Sequence, residues 1–410
     1  MAYNIIFYFT DQQRWDTCGC FGQPLNITPN LDQLAREGVK FDNAFSPNRC
    51  AAPAAPVPDG QIPHRDGLLP QQHHAARQCQ DPGQLHRGGG LRDRLHRQVA
   101  PGQRRRAGKE AHHRHTITAI PKELRGGYTG FWRAADVLEF TSHGYDGYVF
   151  DENNNRIDFK GYRADCITDM ALEFFDQYDG KKPFFMTISQ IEPHHQNDHN
   201  HYEGPEGSKE KYKNFVLPHD LEVLKGNAAE EYPDYLGQCA SLDRNLGRLV
   251  DRLKKEGSTT TPSSSSPPTT APTSRPATPT ATSTATTTTS APATMAPSTC
   301  PVIAGGLQGG RGGGGAGLHR EPAQDHSGPG RRRRGDAMIG ENLLDVVEKR
   351  TDNRPNQVFA QISESRVGRC VRTPDYLYSV YAPGVNGGEA AASDTYADDF
   401  LYDLKADPGS

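Results

Sequence analysis

The chain has 410 residues, enough for two or three average domains or for one large α/β domain with a smaller partner. Its net charge of −4 creates no field that would attract nucleic acid or an anionic membrane, so neither is expected as a partner. The eight cysteines are scattered without zinc-site spacing, which favours reduced thiols in a cytoplasmic protein. The only apolar run near Met1 is NIIFYF, so neither a signal peptide nor a transmembrane helix is predicted.

Much of the chain has the periodicity of an α/β protein. A β-rich run at 4–9 predicts a buried strand, and a helix start signal followed by apolar residues at helical spacing predicts a helix over 28–39. Apolar spacing predicts two further helices, over 162–178 and 232–256. Residues 183–190 (PFFMTISQ) have the pattern of a second strand.

Two predictions can be checked in more detail. The helix over 232–256 should bury one apolar face. That face consists of Leu236, Leu242, Leu246, Leu249, Val250 and Leu253. Near the end of the chain, TPDYLYSVYAP at 373–383 and DDFLYDLKADP at 398–408 are patterned as antiparallel strands around a turn.

Three segments have a different composition and almost no periodicity. They cover about 50–117, rich in Gln, His and Arg, 258–300, rich in Thr, Ser and Pro, and 312–334, rich in Gly and Arg. Such segments bury too little apolar surface to offset the entropy of ordering, so each is predicted to be disordered. Three unrelated compositions inside one domain nevertheless favour another interpretation, a shifted reading frame.

The genetic code supports that interpretation. Permitted codons for 258–274, read from their third base, encode YDNTLIIFTSDHGSHF, which is a strand followed by a polar D-H-G. Codons for 59–101, shifted by one base, can encode a sequence that begins TGKYPTETG and ends GKWHL, and codons for 50–57 permit CGPSRAC. We therefore interpret the three segments as frameshifted.

With these motifs the chain resembles the sulfatases of the alkaline-phosphatase-like superfamily. The in-frame resemblance is carried by NIIFYFTDQQRWDTCGCFG, TPNLDQLAREGVKFDNAFSP, SLDRNLGRLVDRLKKEG and the ending FLYDLKADP. The alternative frames add C-G-P-S-R, G-K-W-H and S-D-H-G. The resemblance implies an α/β fold with a mixed central β-sheet between helices. It also implies a catalytic domain over 1–350 and a small, truncated antiparallel subdomain over 351–410.

The resemblance further implies a sulfuric ester hydrolase. Its nucleophile would be formylglycine, made from a cysteine by a formylglycine-generating or anaerobic sulfatase-maturating enzyme. A divalent metal with oxygen ligands, Ca²⁺ or Mg²⁺, would neutralise the sulfate of a small-molecule or carbohydrate ester. Lys and His side chains would stabilise charge and protonate the leaving oxygen.

Four residues match the family's site by position. Asp11, at the end of the first strand, corresponds to the first metal ligand, although it could instead cap a turn. Gln12 falls where many relatives carry a second Asp, and its amide oxygen could coordinate the same cation. His194 matches a histidine that contacts sulfate, and His195 is the less favoured of the pair. A surface role, or metal binding by the surrounding His/Asp cluster, remains an alternative for these histidines.

Cys50 lies at the position of the nucleophile, but it is followed by Ala-Ala-Pro-Ala instead of the x-P-x-R motif. A maturating enzyme should therefore ignore it, and we expect an ordinary thiol there. The D-H-G codons lie under 268–271, so half of the metal site is also missing. The chain is accordingly expected to be inactive and to fold poorly, because prolines would replace a central strand. Cys18 and Cys20 are expected to be core thiols.

Two other functions remain open. One metal site and one nucleophile can serve phosphorus as well as sulfur, so a phosphonate monoester or phosphodiester hydrolase is the enzymatic alternative. The alternative from another class is a non-catalytic pseudogene product whose Thr/Pro and Gly/Arg tracts are disordered.

Overall fold

The computed structural model describes residues 4–42, 117–122, 125, 128–180, 184–223, 226–258, 280–286, 302–304, 356–363, 366–387, 390 and 392–406. The part of the chain before residue 350 begins with strand β1 and short 3₁₀ turns, and then alternates between helices and strands. Its helices are α1 (Pro29–Glu37), α2 (Leu138–Thr141), α3 (Arg163–Gln177), α4 (Ser208–Lys211), α5 (His219–Val223) and α6 (Ala228–Ser258). Its strands are β1 (Ile5–Asp11), β2 (Val39–Phe41), β3 (Arg133–Ala134), β4 (Asp146–Asp151), β5 (Arg156–Lys160), β6 (Phe185–Gln190), β7 (Thr280–Thr286) and β8 (Val302–Ala304).

A mixed five-stranded sheet forms the centre of the fold, in the order β2-β8-β7-β1-β6. The two neighbours of β1 both run parallel to it, whereas β8 is antiparallel to both β7 and β2. Parallel strands end at the same edge of a sheet, so the segments that follow β1, β6 and β7 begin side by side. This mixed α/β sheet confirms the predicted fold class.

Helices α1, α3 and α6 pack with this sheet around one core. The buried side chains of that core include Ile6 and Tyr8 of β1, Leu34 of α1, Phe175 of α3 and Ile188 of β6. Five leucines of the predicted inner face of α6 are buried, and Val250 packs against the core from its edge. The helical period of these residues therefore placed them correctly, because a 3.6-residue repeat puts them on one stripe.

Strand β7 is a difference from the sequence analysis, which expected no element within 258–300. Thr280–Thr286 (TATSTAT) pairs along its whole length with β1, with Thr286 opposite Asp11. Threonine is β-branched and favours extended backbone, and this stretch contains no proline, unlike the residues on either side of it. The position beside β1 is thus filled by a Thr-rich strand, which follows the codons of the strand and D-H-G in the alternative frame.

Two smaller antiparallel sheets complete the described residues. Strands β3, β4 and β5 form one. The other lies near the end of the chain in the order β12-β11-β10-β9 and confirms the predicted C-terminal antiparallel sheet. Its strands are β9 (Val358–Ser363), β10 (Val367–Arg372), β11 (Tyr376–Tyr381) and β12 (Ala397–Asp403). Among the described residues, no helix is both long enough and apolar enough to cross a membrane.

Candidate active site

The predicted site residues outside the biased segments meet at the carboxyl edge of the central sheet. The register pairs Thr10 of β1 with Gln190 of β6, so Asp11 and the turn that starts at Ile191 leave the sheet together. His194 and His195 lie on that turn, where the backbone N–H of His194 donates to the Ile191 carbonyl at 2.9 Å. Residues separated by more than 180 positions in sequence thus form one site.

Two hydrogen bonds join the end of β1 to this turn. The backbone N–H of Asp11 donates to the carbonyl oxygen of Glu192 at 3.2 Å. The backbone N–H of His195 donates to Oε1 of Gln12 at 3.0 Å, which fixes the amide side chain predicted as a metal ligand. A carbonyl-type oxygen has two lone pairs, so this bond leaves one lone pair of Oε1 for another partner.

Gln12 adopts a left-handed backbone conformation, with φ of 64°. This conformation costs energy for a residue other than glycine and persists only where its surroundings enforce it. Tyr235 of α6 supplies that constraint, because its hydroxyl donates to the Gln12 carbonyl at 2.8 Å and accepts the backbone N–H of Arg14 at 2.7 Å. The tyrosine therefore fixes the chain on both sides of the β1 exit.

A buried ion pair holds the turn that carries His194 and His195. Nε of Arg163, at the start of α3, lies 2.8 Å from Oε1 of Glu192, and both side chains are 1% exposed. The guanidinium also donates to the Ser142 carbonyl at 3.3 Å and to Oε1 of Gln196 at 3.1 Å. Because Glu192 precedes the two histidines and Gln196 follows them, Arg163 holds both ends of the turn.

The electrostatics of the edge favour a cation. Burial raises the pKa of the Asp11 carboxyl, while the neighbouring His194 acts in the opposite direction. A carboxylate that is poorly hydrated gains stability from a nearby positive charge. A carboxylate, an amide oxygen and two imidazoles at one sheet edge can together bind a hard cation and an anionic group.

Cys18 and Cys20 follow β1 and are shielded from solvent to different degrees. Cys18 is fully buried and burial raises its pKa, which confirms a core thiol. Cys20 is half-buried and packs against the same core, and burial raises its pKa to about 12. Neither is a ready nucleophile at neutral pH. Cys50 lies outside the described residues, so its position as nucleophile stays a prediction.

The supporting residues Arg163, Glu192, Gln196 and Tyr235 were not identified from the sequence. Each acts through a contact with a distant segment, and no motif marks it. Glu192 had the clearest local signal, since it is a charged residue in the short run IEPHH directly after strand β6. A charge at such a position needs a buried partner, but the sequence alone does not say which one.

Comparison with known proteins assigns the family. The profile described as Sulfatase matches residues 3–261, well over half of the chain, and the chain therefore belongs to the Sulfatase family. An N-acetylglucosamine-6-O-sulfatase of Bacteroides thetaiotaomicron is 28% identical over 194 residues, which are 47% of this chain and 30% of the relative. An ulvan-active sulfatase of Formosa agariphila is 27% identical over 270 residues, which are 62% of this chain and 47% of the relative. The matches thus span less than half the length of these relatives.

Solved structures show the same fold at low identity. A putative sulfatase from Bacteroides fragilis superposes with a TM-score of 0.64 at 17% identity, covering 100% of this chain and 90% of the other. A structure in complex with D-glucosamine-2-N,6-O-disulfate has a TM-score of 0.60, also at 17% identity, covering 100% and 92%. A phosphonate monoester hydrolase of Agrobacterium radiobacter has a TM-score of 0.51 at 14% identity, covering 99% and 90%. These likenesses show that the chain shares the fold of these solved structures.

Proposed function

We propose that the chain represents a sulfuric ester hydrolase that acts on a sulfated carbohydrate. The observation that carries the proposal is the Sulfatase match over 3–261, together with the meeting of Asp11, Gln12 and His194 at one sheet edge. The sugar is supported by the names of the relatives, which act on N-acetylglucosamine 6-sulfate and ulvan, and by the disulfated glucosamine bound in a structural neighbour.

In this proposal each site residue keeps the role that the family resemblance implies. Asp11 and Gln12 provide oxygen ligands for Ca²⁺ or Mg²⁺, which would neutralise charge on the sulfate. His194 contacts the sulfate, with His195 beside it. In the frame-restored protein the Cys50 position would carry the cysteine that a maturating enzyme converts to formylglycine, whereas Cys50 in this sequence is expected to stay an ordinary thiol. A cytoplasmic location stays a prediction.

We further propose that this sequence lacks a complete site. Asp11 and Gln12 supply two oxygen ligands, whereas Ca²⁺ takes six to eight. The strand next to β1 ends at Thr286, and the sequence from 258 to 318 contains no Asp, Glu or His. The Sulfatase match also stops at residue 261, just inside the Thr/Ser/Pro tract. The residues present do not fit a full metal centre, and we derive no catalytic step through it.

The test compares this chain with a frame-restored chain that carries C-G-P-S-R and D-H-G. Both are co-expressed with a formylglycine-generating enzyme and assayed for sulfate release from N-acetylglucosamine 6-sulfate and from ulvan oligosaccharides. We expect release by the restored chain, and none by this chain or by the restored chain with its motif cysteine changed to alanine. A folded restored chain without activity on either sulfate ester would refute the proposed function.

The phosphonate monoester hydrolase among the structural neighbours supports a second candidate function, the hydrolysis of phosphonate monoesters. It shares the fold, and a metal with a nucleophile can attack phosphorus or sulfur. Rates on an aryl sulfate and on the matching aryl phosphonate, measured with the restored chain, separate the two. Faster phosphonate hydrolysis would replace the sulfatase proposal, and normal codon statistics across 258–300 would favour the non-catalytic protein.

A further inference from the structure

A cluster of histidines and carboxylates lies on the loop beyond His195, and the candidate active site uses none of them. His143 Nε2, from the turn after α2, lies 2.8 Å from Asp198 Oδ2. The rings of His143 and His199 are parallel, with centroids 4.3 Å apart. One ligand atom from each of His143, Asp198 and His199 lies within 4.8 Å of the other two. Two imidazoles and a carboxylate at this spacing are a common donor set for a transition metal.

Two further carboxylates, Glu203 and Asp146, lie near the Nδ1 atoms of His199 and His143. Nδ1 of His199 is hydrogen-bonded to Oε1 of Glu203, whose other oxygen accepts the backbone N–H of Gly144 at 2.5 Å. An ionised carboxylate can only accept, so Nδ1 carries the proton, and in the neutral imidazole Nε2 of His199 has the lone pair. Nδ1 of His143 lies 3.8 Å from Asp146 Oδ1, which is ion-pair distance but too long for a hydrogen bond. A carboxylate behind the ring is the usual support of a metal-ligating histidine.

We propose that His143, Asp198 and His199 bind one divalent transition-metal ion, with Zn²⁺ the best match, and that Glu203 positions His199. The nitrogen ligands distinguish this site from the all-oxygen chemistry of Ca²⁺ and Mg²⁺ that is expected at Asp11. Three protein ligands leave a fourth position for water. To bind one ion, the two parallel imidazoles would have to rotate about χ2, which is a broad torsion.

The neighbouring triad of His199, His201 and Glu203 also has ligand atoms within 4.8 Å of one another. Glu203, however, already accepts the Gly144 N–H, and its side chain is only 13% exposed. The three residues also lie within one short stretch of loop. An ion bound by His143 instead joins two segments more than 50 residues apart in sequence. It would tether the loop that carries His194 to the turn after α2.

The experiment measures Zn²⁺ binding by calorimetry with the full chain, after treatment with a chelator and dialysis. We expect one equivalent to bind, and to bind equally in Asp11→Asn, which removes the competing oxygen site. His143→Gln or Asp198→Asn should lower the affinity at least tenfold. Glu203→Gln should lower it about 10–100-fold, as removal of an orienting carboxylate does. With Co²⁺ as the probe, visible d–d absorption should appear and be lost in His143→Gln.

Two matched controls keep the test specific. His201→Gln removes a stacked neighbour of His199, and His219→Gln removes an exposed histidine paired with Glu222. Both should bind Zn²⁺ like the unaltered chain. Binding that survives both His143→Gln and Asp198→Asn would overturn the proposal, as would absence of binding to the unaltered chain. Loss in His201→Gln with retention in His143→Gln would assign the ion to the other triad. His143 and Asp198 are exposed, so far-UV circular dichroism should show both variants folded.

Discussion

Replacing Arg163 by methionine should destabilise the chain by about 3–5 kcal/mol, because it leaves Glu192 as an unpaired buried charge. The two side chains are 1% exposed, so water cannot replace the lost partner. Methionine keeps much of the volume of the arginine stem, so the loss measures charge and hydrogen bonds more than packing. The carbonyl of Ser142 and Oε1 of Gln196 lose a donor as well.

The matched control is Arg244→Met. Arg244 lies on α6 and pairs with Asp165 of α3 at 2.7 Å, close to the 2.8 Å of the buried pair. The side chains of Arg244 and Asp165 are 55% and 35% exposed, and exposed pairs contribute about 0–1 kcal/mol. The two ion pairs have similar N–O distances but different exposure, so comparing the two variants isolates the effect of burial.

The assay is urea unfolding followed by far-UV circular dichroism, with the free energy of unfolding extrapolated to water. Arg163→Met should lower it far more than Arg244→Met does. The double variant Arg163→Met/Glu192→Leu should be more stable than Arg163→Met alone, because the stranded charge has gone. If Arg163→Met costs no more than the exposed control, the buried pair does not hold the histidine turn and our reasoning fails.

Three further predictions concern the same edge and core. Tyr235→Phe should lower the free energy of unfolding by about 1–3 kcal/mol, because it leaves the Gln12 carbonyl without its buried donor. Tyr232→Phe should be nearly neutral, since the Tyr232 hydroxyl has no hydrogen-bond partner among the described residues. Equal urea midpoints for the two variants would contradict this prediction. Burial raises the pKa of Asp11 in the folded chain above its unfolded pKa of about 3.9. The contribution of Asp11 to stability therefore falls as the pH rises from the unfolded pKa through the raised folded pKa. Asp11→Asn should therefore be more stable than the unaltered chain at neutral pH in chelator, with a gap that closes in acid; a pH-independent gap would refute the assignment. Cys18, whose pKa burial raises, should resist iodoacetamide at neutral pH until urea unfolds the chain, and mass spectrometry showing rapid native alkylation would count against a buried thiol.

Local pattern was sufficient to predict the main helices and the first strands. The helix predicted over 28–39 is Pro29–Glu37, and that over 162–178 is Arg163–Gln177. The long helix begins one turn earlier than predicted, at Ala228, because Pro233 near its start does not end it. Apolar periodicity reports which face is buried, and a cap or a proline sets the boundary only to within a few residues.

The site was predictable only where a strand end marked it. Asp11 is the last residue of β1 and His194 follows β6, so their positions could be predicted from their order along the chain. The ion pair of Arg163 and Glu192 and the cluster around His143 depend on which loops meet in space, and neither leaves a local signature. Strand β7 was missed for a different reason. Its Thr-rich sequence lies in a Pro-rich tract, and the composition of that tract predicted disorder instead of a strand.

The central claim is that the biased tracts are sulfatase sequence read out of frame, and the source DNA tests it most directly. Sequencing codons 45–120 and 255–340 should reveal missing or added bases that restore C-G-P-S-R near Cys50 and D-H-G under 268–271. Third-base composition should change frame at the same points. If the present frame is correct and its codon statistics are continuous across 258–300, the account is contradicted, and the chain is a sulfatase relative without the catalytic residues.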